Sequence, residues 1–274
     1  MRIALTIAGS DSSGGAGIQA DLKTFAAFGI YGVSAVTAVT AQSTKGIEAA
    51  LALDADFVTA QIEAVAGDFT IDATKIGMLA NAAIVEAVAA AIAELDLPLV
   101  IVDPVLVSSS GERLLDEDGV RALRAELLPR ARVVTPNIPE AEALSGCRIQ
   151  SMDDAREAAR RIHDLGAAAV IITGGHGFTS HPAPRSSHLG EVVDLLFDGR
   201  AFHELRVPRV ESRHSHGTGC TFASAVAAGL ALGRELPDAA ARAQQYVAGA
   251  IAHAPGIGHG RGPLDHFWGG ILKG

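Results

Sequence analysis

Two patterns of apolar and polar residues alternate along this chain. Short apolar segments rich in valine and isoleucine are typical of buried strands, and the longer alanine-rich segments between them have the period of helices. The short segments predict strands at residues 3–8, 33–41, 74–79, 99–103, 132–135 and 169–173. The longer segments predict helices at about residues 18–28, 55–66, 81–95, 116–127, 153–165, 219–232 and 237–253.

The alternation of strand and helix indicates βαβ units and therefore a parallel sheet. Residues 99–102 are apolar at every position, as expected of a strand that helices cover on both faces. The pattern predicts an α/β fold, a three-layer α/β/α sandwich with a mostly parallel central sheet. Residues 191–197 and 201–207 alternate like strands, and Asp198-Gly199 between them predicts a hairpin. Residues 175–190 have no period and predict a loop.

Composition narrows the class of protein. The 274 residues, 49% hydrophobic and 19% charged, are expected to form one large domain over residues 1–274. The net charge is −9, and Lys and Arg do not cluster with aromatic residues, which argues against a nucleic-acid partner. Two cysteines are too few for a disulfide framework, and no apolar run is long enough to span a membrane. A cytoplasmic location without membrane contact is therefore predicted.

The first of two glycine-rich segments lies between the first strand and a helix, at residues 9–17. It contains Gly15-x-Gly17-x-x-Ala20, which matches the dinucleotide fingerprint and leaves an NAD(P)-binding oxidoreductase as one alternative. The following strand lacks the acidic residue that this fingerprint requires about 20 positions later, which weakens that interpretation. A purely structural turn is the other interpretation.

The second glycine-rich segment begins the predicted helix at residues 219–232. Small residues at Gly217, Thr218 and Gly219 leave backbone N–H groups available to one anion, and the positive end of the helix would stabilise a phosphoryl oxygen. A helix start is expected to lower the pKa of the Cys220 thiol, so that Cys220 could accept a proton from a substrate hydroxyl or orient it. The alternative is that Cys220 is merely a small buried residue.

Acidic residues stand near the ends of two predicted strands. Asp103 closes one strand, and Glu140 follows the next within Asn137-x-x-Glu140. Because ligands bind at the carboxyl ends of parallel strands, Asp103 and Glu140 are candidates for holding a Mg²⁺ that bridges phosphates. Asn137 could instead only cap the helix that contains Glu140. Thr173-Gly174-Gly175 ends a further strand and is a candidate for close approach to phosphates.

In this order, the motifs resemble the ribokinase-like superfamily and, within it, the hydroxymethylpyrimidine/phosphomethylpyrimidine kinases of thiamine biosynthesis. The resemblance covers nearly the whole chain. Most sugar kinases of the superfamily have aspartate at the position of Cys220, so the cysteine points to pyrimidine and pyridoxal kinases. The segments that carry the resemblance are residues 7–11, 14–24, 40–42, 75–79, 103–105, 135–140, 216–220 and 259–267.

The resemblance implies a ribokinase-like enzyme that uses ATP to phosphorylate 4-amino-5-hydroxymethyl-2-methylpyrimidine, and then phosphorylates that monophosphate to the diphosphate. It also implies Mg²⁺ as the cofactor and a homodimer. A pyridoxal or pyridoxine kinase is the alternative within this class. A pyrimidine-binding protein without kinase activity is a third possibility from another class.

The resemblance also implies the roles of individual residues. Gly217, Thr218 and Gly219 would form the anion hole, with Cys220 at the hydroxymethyl oxygen as the candidate base. Gln244 stands where the family usually has lysine, so no ATP contact is assigned to it. Mg²⁺ would be served by Asp103 and Glu140. The substrate ring would contact Gly9, Ala16, Asp21, Gln42, Met78 and Val105, and ATP would contact Asp103, Thr173, Gly175 and Thr218.

Overall fold

The structure is a computed structural model that describes residues 1–108, 111–174 and 190–270. Within these residues, nine strands form one sheet. The strands are β1 Ile3–Asp11, β2 Tyr31–Ser43, β3 Gly46–Ala52, β4 Ala73–Ile76, β5 Val100–Val102, β6 Val133–Val134, β7 Val170–Ile172, β8 Glu191–Phe197 and β9 Phe202–Pro208.

The strand order of the sheet is β3-β2-β1-β4-β5-β6-β7-β8-β9. The six strands from β2 to β7 in this order are parallel to one another. β3 pairs antiparallel with β2 at one edge, and β8 and β9 add an antiparallel hairpin at the other. The predicted mostly parallel sheet is thus confirmed, and the carboxyl ends of its six parallel strands lie along one edge.

The helices that the structure describes are α1 Gly17–Ala27, α2 Ala55–Asp68, α3 Ala82–Glu94, α4 Glu117–Ala122, α5 Ile138–Ser145, α6 Met152–Asp164, α7 Thr218–Ala231 and α8 Leu236–Ala252. After α4 the chain continues through a π turn at Leu123–Leu127 and a 3-10 turn at Leu128–Arg130. None of the described helices has the length and apolar character needed to cross a lipid bilayer.

Helices cover both faces of the sheet. α2 to α6 pack on one face through residues such as Ile62 and Ile162. α1, α7 and α8 pack on the other face through Phe25, Val226 and Ala240. Since successive residues of a strand point to opposite faces, strands buried on both sides must be apolar throughout. The predicted three-layer α/β/α sandwich is confirmed.

β3 was not predicted from the sequence, and α5 was anticipated only as the helix that Asn137 could cap. β3 lies at the edge of the sheet and is exposed from Glu48 to Ala52, so it lacks the alternation of a half-buried strand. α5 is only eight residues long, which is too short to show a helical period. The predicted hairpin is confirmed as β8 and β9, with Gly199 at a φ of 89° in its turn. The predicted loop at 175–190, apart from Gly190, lies outside the described residues.

The packing of α7 on the sheet generates a stability prediction. Ile101 of β5 has no exposed surface and belongs to the cluster beneath α7. Ile101→Ala is expected to lower the free energy of unfolding by about 2–5 kcal/mol, because a cavity is left in a packed interior. Chemical denaturation measures this change. The matched control is Leu51→Ala on edge strand β3, where Leu51 is 68% exposed, and a similar loss in both variants would contradict the layer assignment.

Candidate active site

The predicted site residues meet at the carboxyl edge of the parallel strands. Gly9 and Gln42 lie at the ends of β1 and β2. Met78, Asp103 and Thr173 follow β4, β5 and β7 along the same edge. α7 begins there as well, since a Cβ built on Gly219 would lie 3.8 Å from Asp103 Oδ2.

The first glycine-rich loop packs directly against the start of α7. Gly217, the N-cap of α7, has a φ of 86°, a conformation that side chains rarely adopt. A Cβ at Gly217 would lie 1.9 Å from the carbonyl oxygen of Gly15. Only glycine therefore allows this approach of the two loops. The first N–H groups of α7, on Thr218, Gly219 and Cys220, are those that a helix leaves without an acceptor of its own.

The carboxylate of Asp11 holds the first loop together. It accepts hydrogen bonds from the backbone N–H groups of Ser13, Gly15 and Ala16 at 2.8–3.1 Å. It also accepts one from His216 Nε2 at 2.8 Å. Although burial alone would raise it, these bonds hold the pKa of Asp11 well below its usual range. The N–H groups that a dinucleotide pyrophosphate would need are thus already occupied, which argues against the NAD(P)-binding interpretation.

The carboxylate of Asp21 is buried beneath the site. Its side chain has no exposed surface. Its oxygens accept hydrogen bonds from Thr6 at 2.6 Å, Lys75 at 3.0 Å and Ser224 at 2.7 Å. These three donors enclose the carboxylate of Asp21 within the protein, and its hydrogen bond to a substrate ring stays a prediction.

Lys75 of β4 places a buried positive charge beneath the start of α7. Its ammonium group lies 3.0 Å from Asp21 and 3.9 Å from Asp103, and its side chain is fully buried. Burial alone would lower the pKa of Lys75, but the carboxylate of Asp21 and the charge of Asp103 raise it above its usual range. Lys75 is therefore charged and partly balances two carboxylates that burial would otherwise destabilise.

Asp103 and Glu140 provide the oxygen ligands that a Mg²⁺ ion prefers. Burial raises the pKa of both carboxyl groups, and the charge of Asp103 raises that of Glu140 further. Oδ2 of Asp103 is buried and has no hydrogen-bond partner among the described residues. The part of the chain that the structure describes contains no group of three or more side chains that could hold a metal ion. These two residues fit Mg²⁺, which commonly binds one or two carboxylates and completes its shell with phosphates and water.

The capping role of Asn137 is confirmed. Its side chain accepts a hydrogen bond from the Glu140 N–H at 3.0 Å, and Glu140 Oε2 accepts one from the Asn137 N–H at 2.9 Å. This capping box fixes Glu140 at the start of α5. Glu140 could cap the helix and also bind Mg²⁺, because the capping box uses only Oε2 of its carboxylate.

The predicted low pKa of Cys220 is wrong. Cys220 is half-buried at the third position of α7. Desolvation raises the pKa of its thiol to about 12, with the charges of Asp103 and Asp21 adding to the effect. Lys75 and a hydrogen bond from the Gly17 N–H act in the opposite direction but are weaker. Burial next to two carboxylates outweighs the helix N-terminus, so Cys220 is a neutral thiol near pH 7.

The remaining predicted substrate residues surround this edge. A Cβ on Gly9 would lie 3.1 Å from Met78 Sδ, and Ala16 lies against Gly217. Val105 follows Asp103 and is half-buried. Gln42 also lines a neighbouring cavity of about 380 Å³, together with Ser43, Thr44, Lys45, Gly46, His216, Gly260 and Arg261.

The predicted nucleotide side begins at Thr173. Thr173 donates its N–H to the carbonyl of Pro136 at 2.9 Å, which aligns it with the end of β6. The N–H of the next residue, Gly174, donates to Asp194 at 2.7 Å, and Asp194 also accepts from Gln244 at 2.8 Å. Gln244 thus has a structural partner. Gly175 lies outside the described residues.

Sequence reasoning assigned no role to Asp11, His216 or Lys75. A signal for Lys75 was available, because a lysine within the apolar strand Ala73–Ile76 must be buried with a partner. Asp11 and His216 are 205 positions apart. No local pattern could pair them.

Comparison with known structures defines the class of protein. The chain superimposes on an ADP complex of Bacillus subtilis pyridoxal kinase with a TM-score of 0.86, at 39% identity and covering 97% of each chain. Fold and site together define a ribokinase-like small-molecule kinase.

The family follows from the sequence relatives. The family model described as phosphomethylpyrimidine kinase matches residues 11–265. The chain is 47% identical over 266 residues to the hydroxymethylpyrimidine/phosphomethylpyrimidine kinase of Streptomyces coelicolor, covering 97% of this chain and 94% of that protein. It is 48% identical over 263 residues to the thiamine biosynthesis bifunctional protein ThiED of Geobacter sulfurreducens, covering 96% of this chain and about half, 52%, of that longer protein. The chain belongs to the phosphomethylpyrimidine kinase family.

The buried charges generate a prediction for Lys75. Lys75→Met is expected to lower the free energy of unfolding by about 3–5 kcal/mol, because it leaves Asp21 and Asp103 buried without their cation. Adding Asp21→Asn should restore part of the loss. The measurement is chemical denaturation at pH 7.

Lys45→Met is the matched control, because Lys45 is exposed. Its effect should stay within about 0.5 kcal/mol. A Lys75→Met variant as stable as this control would show that the buried ion pair is unimportant.

Proposed function

We propose that this protein transfers the γ-phosphoryl group of ATP to 4-amino-5-hydroxymethyl-2-methylpyrimidine and then phosphorylates the monophosphate to the diphosphate. Family membership supports the reaction. The observation that carries it is the start of α7, where unpaired N–H groups, Cys220 and Asp103 converge beside the first glycine-rich loop. This arrangement suits a substrate hydroxyl and a phosphoryl group that meet in line.

The N–H groups of Thr218, Gly219 and Cys220 would stabilise the transferred phosphoryl group. Its oxygens carry the negative charge in the transition state, and a helix N-terminus provides fixed donors and a positive dipole end for them. Phosphoryl transfer needs little covalent work from the protein, so positioning and charge stabilisation would supply most of the rate. The close packing of Gly217 against Gly15 positions these donors.

Cys220 would act as a neutral relay for the proton of the substrate hydroxyl. Its thiol contacts the Asp103 carboxylate, and a carboxylate oxygen can accept a proton. As the substrate oxygen bonds to phosphorus, its proton would move to Cys220 Sγ while the thiol proton moves to Asp103. The sulfur is neutral before and after this step.

Asp103 and Glu140 would hold Mg²⁺, directly or through water, and the ion would neutralise charge on the ATP phosphates. Thr173, Gly175 and Thr218, with Asp103, are the proposed ATP contacts. ADP in the related pyridoxal kinase structure supports a nucleotide site in this fold.

The substrate ring would be held by Gln42, which reads polar groups of the ring edge, and by the walls formed by Gly9, Ala16, Met78 and Val105. Asp21 would support the site from beneath through Lys75. We also propose a single domain over residues 1–274, which follows from length and composition, and a homodimer, which follows from the resemblance.

A pyridoxal kinase is the second candidate, since the superimposed structure from Bacillus subtilis is one. An ATP-consumption assay with the hydroxymethylpyrimidine and with pyridoxal decides between them. We expect kcat/KM to be higher for the pyrimidine, with mono- and diphosphate appearing in sequence. A higher kcat/KM for pyridoxal would make the protein a pyridoxal kinase. If neither compound stimulated ATP consumption, both candidate functions would be contradicted.

The relay generates a prediction for Cys220. Cys220→Ala is expected to lower kcat by about 10²–10⁴-fold, because the hydroxyl proton loses its path. Cys220→Ser should stay within about tenfold of the wild type, because a serine hydroxyl can also accept and donate a proton. Steady-state kinetics with the pyrimidine measures both variants.

The serine variant is also the control for the mechanism. If Cys220→Ser were as inactive as Cys220→Ala, a thiolate would be required and the neutral relay would be wrong. Full activity of Cys220→Ala would show that the cysteine is only structural.

A further inference from the structure

The amide group of Gln42 lies between two polar neighbours. Its Nε2 is 3.3 Å from His216 Nε2, and its Oε1 is 3.1 Å from the hydroxyl oxygen of Thr40. The Thr40 hydroxyl also lies 2.9 Å from the carbonyl oxygen of Ser10. Because Gln42 also lines the 380 Å³ cavity, the direction of its amide decides whether it offers that space a donor or an acceptor.

The surroundings of Asp11 determine the protonation of His216. Asp11 and His216 are both buried, with 4% and 6% exposure. The Asp11 oxygens accept from the N–H groups of Ser13, Gly15 and Ala16 and from the Ser13 hydroxyl. A carboxylate enclosed by donors is ionised and can only accept. His216 Nε2, at 2.8 Å from Asp11, must therefore carry a hydrogen and donate it.

This hydrogen sets the direction of the Gln42 amide. An amide N–H facing His216 Nε2–H would place two donors 3.3 Å apart. The oxygen and nitrogen of an amide are distinguished by the hydrogen bonds they make. With the amide turned by 180°, the Gln42 oxygen faces the Nε2–H of His216, whose one hydrogen is then shared between Asp11 and Gln42. The Gln42 NH₂ then donates to the Thr40 hydroxyl. Thr40 then donates to the Ser10 carbonyl, and each group has a complementary partner.

We propose that Asp11 and His216 are positioning residues that hold the Gln42 amide with its oxygen toward His216 and its NH₂ toward Thr40 and the substrate. Gln42 then presents an N–H donor, which selects a heteroaromatic ring with an unprotonated ring nitrogen as acceptor. The identity of that ring as an aminopyrimidine rests on the proposed function. The orientation itself rests only on the contacts of Asp11, His216 and Thr40.

The orientation can be tested without substrate. In protein with ¹⁵N-labelled histidine, the resonances lost in His216→Gln identify the His216 ring. We expect Nε2 of His216 to carry a proton throughout pH 6–8. An unprotonated Nε2 in this range would overturn the proposal, whatever the enzyme phosphorylates.

A double-mutant cycle tests the effect on the substrate. His216→Phe keeps a ring of similar size but removes the donor, and Gln42→Ala removes the amide. Each is expected to raise KM for the pyrimidine about tenfold with a smaller change in kcat, since one hydrogen bond to the ring is lost or misdirected. The double variant should resemble the single ones, because His216 acts through Gln42.

If the two effects multiply instead, His216 does not act through Gln42 and the proposal is overturned. His216→Gln retains an N–H donor and should recover part of the KM lost in His216→Phe. Equal KM values for these two variants would also contradict the proposal. Absence of pyrimidine phosphorylation in the wild type would reject the proposed function, while the histidine resonances would still test the orientation.

Discussion

The buried ammonium group of Lys75 is the interaction on which the site depends. It lies between Asp21 of α1 and Asp103 after β5, and Asp21 in turn accepts from Thr6 of β1 and Ser224 of α7. Five elements therefore meet at one charge cluster. Charges removed from water are costly unless they are paired and hydrogen-bonded, so this cluster tolerates few other arrangements. The start of α7 is fixed above it.

A second set of contacts fixes the same helix from the side. The Asp11 carboxylate accepts hydrogen bonds from N–H groups of the first glycine-rich loop and from His216. Gly217 packs closely against the carbonyl of Gly15. Segments 205 positions apart in the sequence are thereby joined at the site. The backbone N–H groups that the Asp11 carboxylate binds belong to the first loop. Two adjacent glycine-rich segments thus have different roles, one structural and one suited to an anion.

Sequence reasoning reached the fold because strands that are apolar throughout are typical of a sheet covered on both faces. It placed Asp103 at the carboxyl edge because Asp103 ends a strand, and it brought Cys220 to the same site only through the family resemblance. β3 was missed because an exposed edge strand has no burial pattern to read. The pKa of Cys220 was misjudged because it depends on burial beside Asp21 and Asp103, which are distant in sequence. The enclosure of Asp21 and the pairing of Asp11 with His216 likewise arise only from tertiary contacts.

Burial, together with the charges of Asp103 and Asp21, keeps Cys220 a neutral thiol at the start of a helix. The pH dependence of its alkylation by iodoacetamide, measured in Cys147→Ser so that only Cys220 reacts, tests this most directly. With a pKa of about 12, the rate should rise about tenfold per pH unit from pH 7 to 10 without levelling off, because only the thiolate reacts. A plateau below about pH 8 would show a stabilised thiolate and contradict the account.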